Sequence, residues 1–167
     1  MFQVRHAPSM KSLVGSLILL SCIASVQAKA EGSHHGHYDF GEPGQADAVT
    51  RTVKMEAVDA NGEMRFKHAP RSITLGETIR FVVTNKGQVP HEFIIGDAAS
   101  QRAHAAMMRE MPDMEHEDDA SAITLQPGET KELIWHFSKP VHGDIELACQ
   151  IPGHYEAGMV SKVPLIQ

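Results

Sequence analysis

The sequence predicts an all-β fold, a Greek-key β-sandwich with one short helical insertion. Three observations predict it. Short segments repeat along the chain in which polar and apolar residues alternate, which is the period of a half-buried strand. Turn signals containing Gly, Pro and Asn separate these segments at regular spacing, as they do in sandwiches. One long stretch, residues 97–120, breaks the alternation.

The strands are predicted from alternation and from the turns that bound them. In residues 77–84, Ile79, Phe81 and Val83 alternate with polar residues, so one face of this strand should be buried. The predicted strands cover residues 52–58, 63–67, 72–75, 77–84, 91–95, 121–125, 130–137, 144–149 and 159–165. The turn signals between them include Asn61-Gly62, Asn85-Lys86-Gly87, Pro127-Gly128 and Pro152-Gly153.

The insertion at residues 97–120 is predicted to begin with a helix. Asp97 can cap its first turn, its interior is rich in Ala, and Pro112 should end it near Met111. A connection of this length inside a compact sandwich is usually functional or disordered.

The first 28 residues have the pattern of a secretory signal peptide. A basic start precedes an apolar run over Leu13–Val26, and small residues then allow cleavage after Ala28 or Ala30. The run is shorter than the about 20 residues that cross a bilayer, so we expect no membrane span. We therefore predict export to the periplasm. A lipid anchor at Cys22 is the weaker alternative, because good cleavage signals follow it.

Charge and composition describe the exported chain further. Cleavage after Ala28 removes two of the 15 basic residues and none of the 21 acidic ones, so the net charge changes from −6 to −8. This argues against nucleic acid and anionic membranes as partners. Residues 29–48 are polar and rich in Gly and His, and we expect a flexible arm there. The folded domain is then expected at residues 49–167.

Cys149 is the only cysteine left after cleavage. In an oxidising compartment such a thiol can be a buried apolar residue, half of an intermolecular disulfide, a nucleophile or a metal ligand. Its neighbours favour a metal, because His154 and Met159 lie on the same short loop, and this donor set suits copper. A blue-copper site needs a second imidazole. His91 is the best candidate, since strand parity places it on the core side with Phe93.

These motifs resemble those of the cupredoxins, the small type 1 copper proteins such as plastocyanin, azurin and auracyanin. The resemblance covers residues 49–167. It is carried by the Cys-x4-His-x4-Met spacing, by Phe81–Asn85 leading into His91, and by Leu125–Glu129 before a strand. The pattern is most similar to the periplasmic copper-tolerance cupredoxins of the CopI type, which join a type 1 site to Met- and His-rich segments.

The resemblance implies a Greek-key sandwich with copper near one end. His91, Cys149 and His154 would be the close ligands, and Met159 the weak one. Two features depart from the family pattern. Glu92 stands where the family often has an Asn that pins the two ligand loops together, which affects the surroundings of the metal and its redox potential. The insertion at residues 97–120 is also absent from the simplest electron carriers.

Further Met and His residues form candidate secondary copper sites. On the predicted helix, residues 104, 107, 108 and 111 share one face. The candidates are His104, Met107, Met108, Met111, Met114 and His116 in the insertion, and His34, His35 and His37 in the arm. Thioethers select Cu(I), so an exposed cuprous site is one interpretation, and packing or a partner surface is the other.

Two functions follow as hypotheses. The first is copper tolerance by a periplasmic protein that binds copper at the type 1 site and further Cu(I) in the insertion. The alternative is electron transfer between redox partners. Besides copper ions, the expected partners are a redox partner or a copper-transport protein. We do not expect an enzyme, because multicopper oxidases use several such domains with paired His-x-His motifs, and this chain has one such pair, in the arm. Oxidation of Cu(I) by the type 1 copper is the alternative that the sequence leaves open.

Overall fold

The computed structural model describes residues 38–60, 64–111 and 119–167, all within one compact unit, Ser33–Gln167. Its strands are β1 (Glu42–Pro43), β2 (Arg51–Val58), β3 (Arg65–Lys67), β4 (Ile73–Thr74), β5 (Thr78–Asn85), β6 (His91–Gly96), β7 (Ala122–Leu125), β8 (Thr130–His136), β9 (Asp144–Ala148) and β10 (Val160–Ile166). The described residues also contain one α-helix, α1 (Ala98–Glu110), and a short 3-10 helix (Ala46–Ala48). No helix in them is long and apolar enough to cross a membrane.

The strands form two five-stranded sheets, in the orders β1-β8-β5-β2-β3 and β4-β10-β9-β6-β7. Strand β2 pairs in parallel with β5, and β4 with β10, whereas the other pairs are antiparallel. The predicted β-sandwich with one short helix is therefore confirmed.

The alternating pattern places the core where it was expected. Ile79, Phe81 and Val83 of β5 are buried. Leu133 and Trp135 of the neighbouring strand β8, which lie opposite Phe81 and Ile79, are buried as well. These side chains belong to one hydrophobic cluster that also contains the sulfur-bearing side chains of residues 149 and 159. The copper-ligand candidates are thus continuous with the core.

The arm prediction is wrong for residues 38–48. Phe40 is 1% exposed and stacks on Trp135 with ring centroids 5.1 Å apart, and Tyr38 contacts the same indole edge-on at 4.9 Å. Glu42 and Pro43 pair with β8 as an edge strand. Aromatic burial outweighs the polar, Gly-rich composition here, so the sandwich begins before residue 49. Residues 29–37 lie outside the described ranges.

The helix prediction is confirmed. Asp97 accepts hydrogen bonds from the backbone N–H groups of Ala99 and Ser100, and the helix ends at Glu110 with Met111 as its C-cap. Helix α1 packs on β6 and β9. All six residues of β6 are therefore buried, because the core covers one face of the strand and α1 the other.

Candidate metal centre

The predicted ligands come from two adjacent strands. In the antiparallel register of β6 and β9, Ile94 lies opposite Ala148 and Ile95 opposite Leu147. The first residue of β6, His91, and the residue that follows β9, Cys149, therefore reach the same end of the sheet. Both side chains are fully buried.

The loop after Cys149 brings the third donor back to the same place. The N–H of His154 donates to the carbonyl of Ile151 at 2.9 Å, and the N–H of Met159 donates to the carbonyl of His154 at 3.0 Å. The N–H of Cys149 donates to the carbonyl of Met159 at 3.1 Å, which closes the loop. Gly153 and Gly158 have positive φ values of 91° and 103°, a conformation that a side chain would strain.

Three donor atoms converge in this pocket. Nδ1 of His154 lies 3.3 Å from Nδ1 of His91 and 3.3 Å from Sγ of Cys149. All three atoms lie within 4.8 Å of one another, so one ion can contact all of them. In the described parts of the chain, no other group of three or more His, Cys, Asp or Glu residues meets this criterion. Met159 is also fully buried, and its backbone is held beside Cys149.

Burial controls the protonation of the donors. It raises the pKa of the Cys149 thiol to about 12, against the opposing effect of backbone N–H groups of Glu92 and Ile151. It lowers the pKa of both His91 and His154 below the usual value, and for His91 the charge of His154 lowers it further. Both imidazoles are therefore neutral at neutral pH, which is the form that binds a metal.

Asp59 orients the His91 ring, and the sequence alone did not indicate it. Its Oδ2 lies 3.4 Å from Nε2 of His91, on the opposite side of the ring from the donor Nδ1. The carboxylate accepts hydrogen bonds from the backbone N–H groups of Gln88 and Val89 at 2.8–2.9 Å. Burial alone would raise the pKa of Asp59, but these hydrogen bonds and His91 hold it below the usual value. A carboxylate behind a ligating imidazole fixes its ring orientation.

The loop before His91 is organised by a buried amide. The side-chain nitrogen of Asn85 donates to the carbonyls of Val89 at 2.8 Å and Leu125 at 3.0 Å. Its side-chain oxygen accepts the N–H of Gly87 at 2.8 Å. Asn85 thereby ties the loop to β7, the strand that pairs with His91.

The donor set fits copper. A thiol sulfur and two imidazole nitrogens, with a buried thioether on the same loop, are the ligand types of blue-copper sites. The family comparison agrees: residues 52–166 match the model of the copper-binding proteins of the plastocyanin/azurin family. The chain belongs to this family.

Relatives of this cupredoxin match most of its length. It is 40% identical over 160 residues to the copper-resistant cuproprotein CopI of Rubrivivax gelatinosus, covering 89% of this chain and 93% of the relative. It is 34% identical to the protein of the same name from Pseudomonas aeruginosa, covering 90% and 94%. It is also 41% identical to the one from Vibrio cholerae, covering 78% and 74%. The predicted similarity to the CopI type is confirmed.

Solved structures agree on the fold. Auracyanin B aligns with a TM-score of 0.55 at 20% identity, covering 76% of this chain and 96% of that one. An azurin of Methylomonas sp. strain J aligns with a TM-score of 0.51 at 16% identity, covering 71% and 100%. At these identities the likeness shows the cupredoxin fold alone.

Glu92 links the two ligand-bearing segments of this cupredoxin. Its backbone N–H donates to Sγ of Cys149 at 3.3 Å, and its side-chain Oε2 accepts the N–H of Gln150 at 3.3 Å. The side chain is 1% exposed. Although Glu92 departs from the family pattern, it thus links the segment that carries His91 to the segment that carries Cys149.

The methionine face of α1 is not uniformly exposed. Met108 is 1% exposed and packs inward, Met107 is half-buried, and Met111 is 47% exposed. His104 is buried, with Nε2 3.9 Å from Oε2 of Glu92 and Nδ1 3.8 Å from Oδ2 of Asp119. Residues 104 and 108 are therefore buried, whereas Met111 is open to solvent. Met114, His116 and the arm histidines His34, His35 and His37 lie outside the described residues.

Proposed function

We propose that this cupredoxin is an exported copper-tolerance protein. Copper is held by Nδ1 of His91, Sγ of Cys149 and Nδ1 of His154, with the Met159 thioether as the weak fourth ligand. The observation that carries the proposal is the convergence of the three donor atoms within 4.8 Å. Relatives named copper-resistant cuproproteins, matched over nearly the full length, support tolerance as the role.

The residues around the site support tight and stable binding. Bound copper would supply a one-electron change between Cu(II) and Cu(I). His91 and Cys149 are fully buried, so the protein excludes water from them. The closed loop from Cys149 to Met159 and the Asp59 carboxylate hold the donors in place before any ion arrives. A preorganised site of this kind loses little entropy on binding.

The proposal includes periplasmic export and a binding role without turnover. The signal pattern of residues 1–28 supports export. The matched relatives, which are named copper-resistant cuproproteins, support a binding role. Cu(I) binding by the insertion remains part of the proposal for the more exposed residues Met107 and Met111, together with Met114 and His116.

Electron transfer is the second candidate. His154 supports it, because its ring is only partly buried whereas His91 is fully buried. Such a ring would connect the metal to the surface, where a redox partner could dock.

A copper titration of the mature protein tests the site. We expect one equivalent of Cu(II) to give intense visible absorption, because the Cys149 thiolate donates charge to the metal. Cys149→Ser should lose the colour but stay folded, with unfolding free energy lower by about 1–3 kcal/mol from the buried hydroxyl. His154→Ala should weaken binding, and His142→Ala, an exposed histidine outside the cluster, is its control. A coloured Cys149→Ser protein would refute the assignment.

Growth on copper tests the role. Cells that lack the protein should regain tolerance with the wild-type gene and not with Cys149→Ser. Mass spectrometry of the periplasmic fraction should find a chain that begins after residue 28 or 30. If loss of the gene leaves tolerance unchanged while the purified protein still binds coloured copper, electron transfer becomes the better function.

A further inference from the structure

Helix α1 is attached to the strands that carry the copper ligands, although it belongs to the insertion. It covers the outer face of β6, which begins with His91, and of β9, which is followed by Cys149. Gln101 lies at the centre of this contact and is 2% exposed. A polar side chain so deeply buried must satisfy its hydrogen bonds inside the protein.

The Gln101 amide joins three parts of the site. Its Nε2 donates to the carbonyl of Ile94 on β6 at 3.3 Å and to the carbonyl of Glu146 on β9 at 3.1 Å. Its Oε1 accepts from Nε2 of Gln150 at 2.8 Å. Gln150 directly follows Cys149. One side chain from the insertion therefore holds both ligand strands and the first residue of the ligand loop.

A second link from the same helix runs to the residue that follows His91. Nε2 of His104 lies 3.9 Å from Oε2 of Glu92, and that oxygen also accepts the N–H of Gln150. The N–H of Glu92 donates to the Cys149 sulfur. Two side chains of α1, Gln101 and His104, thus belong to one buried polar network. The network also contains Glu92, which follows His91, and Gln150, which follows Cys149.

A network of this kind affects the metal through its ligands. Hydrogen bonds are stronger where water is excluded, so the three buried hydrogen bonds of Gln101 restrict the movement of the strands and the loop that they join. The redox potential of a blue-copper site responds to the hydrogen bonds around its cysteine sulfur. Groups that orient ligands typically change metal affinity when they are replaced.

We propose that Gln101 is a positioning residue of the copper centre, which acts through Gln150 on the Cys149 loop. The insertion then has a role at the type 1 site besides any Cu(I) binding of its own. This inference rests on the proposed function, because it requires copper at the three converging donors.

The test replaces the amide by a side chain of the same length. Gln101→Met removes both donors and the acceptor while the side chain still fills the space between α1 and the strands. We expect the visible charge-transfer band and the reduction potential to shift, and the Cu(II) affinity to fall about 10-fold. Gln45→Met is the matched control, because Gln45 is exposed near the edge strand β1 of the other sheet and makes no capping hydrogen bond with its side chain. It should leave all three values unchanged.

Gln150→Met and the double variant complete the experiment. Gln150→Met should shift the band in the same way, and it carries the test by itself if Gln101→Met does not fold. If both residues act through their shared hydrogen bond, the double variant should change the potential by less than the sum of the two single changes. Unchanged band, potential and affinity, with only a lower unfolding free energy, would overturn the proposal. A wild-type protein that takes up no coloured copper would instead refute the proposed function.

Discussion

The carboxylate of Asp59 and the imidazole of His91 lie 3.4 Å apart, between Oδ2 and Nε2, although 32 positions separate them in the chain. With Nε2 of His91 beside Asp59, the other ring nitrogen, Nδ1, lies 3.3 Å from Nδ1 of His154. The backbone N–H groups of Gln88 and Val89 hold the carboxylate in turn. The orientation of one predicted copper ligand is therefore set by contacts that begin outside the segments that carry the predicted ligands.

Replacing Asp59 should alter the copper site without removing a ligand. Asp59→Asn removes a negative charge close to the metal, so Cu(II) is destabilised relative to Cu(I) and the reduction potential should rise. Cu(II) affinity should fall about 10- to 100-fold, as for other groups that orient ligands. Redox titration and competition with a chelator measure the two effects. Asp47→Asn, an exposed carboxylate in the short 3-10 helix, is the control. An unchanged potential in Asp59→Asn would contradict the assigned role.

Copper affinity should depend on pH through Cys149. Burial raises the pKa of the free thiol to about 12, so copper must displace a proton to bind the thiolate. The pKa of His91 and His154 is lowered, so above neutral pH these rings are already neutral and release none. The apparent Cu(II) affinity should therefore rise about 10-fold for each unit from about pH 7 to 9. Competition titrations in non-coordinating buffers check this, and an affinity that does not vary with pH would show that no proton is displaced.

Replacing Met159 should tune the metal and not remove it. Met159→Leu keeps a buried apolar side chain of similar volume, so the unfolding free energy should change by less than about 1.5 kcal/mol. An axial thioether is a weak ligand, so copper should stay bound. The loss of this donor disfavours Cu(II), and the reduction potential should rise. Loss of copper in the folded variant would mean that Met159 contributes more than a weak axial contact.

Cu(I) binding by the insertion should depend on its methionine thioethers. Replacing Met107, Met108, Met111 and Met114 by Leu should leave the fold and the type 1 spectrum intact, because Leu keeps the helix propensity and the apolar volume. At least one equivalent of Cu(I) should be lost, and cells carrying the variant should tolerate copper less well. Met108→Leu alone is the internal control, because Met108 is 1% exposed and should contribute no accessible thioether. If neither Cu(I) stoichiometry nor tolerance changes, the methionines serve packing or a partner surface.

The local chemistry of the site could be predicted from the sequence. Residues Cys149, His154 and Met159 lie on one loop of a few residues, so the covalent chain itself keeps them close. The strands follow from alternation, which is also a local pattern. The N-cap residue Asp97 lies within three residues of the backbone N–H groups that donate hydrogen bonds to it. The second imidazole, that of His91, could also be predicted, because strand parity placed it on the core side of its strand.

Only the tertiary structure decided how the site is supported. The contacts of Asp59 with His91, of Glu92 with Gln150 and of Gln101 with Gln150 join residues 32, 58 and 49 positions apart. Such pairs depend on the register of β6 against β9 and on where α1 packs, and neither leaves a periodic signal in the sequence. The same reason explains the wrong prediction for residues 38–48. Their polar composition suggested a flexible arm, but the rings of Tyr38 and Phe40 pack against Trp135, which is distant in the sequence. The sequence by itself thus determined the candidate donors and the strands, and long-range packing decided what holds those candidate donors in position.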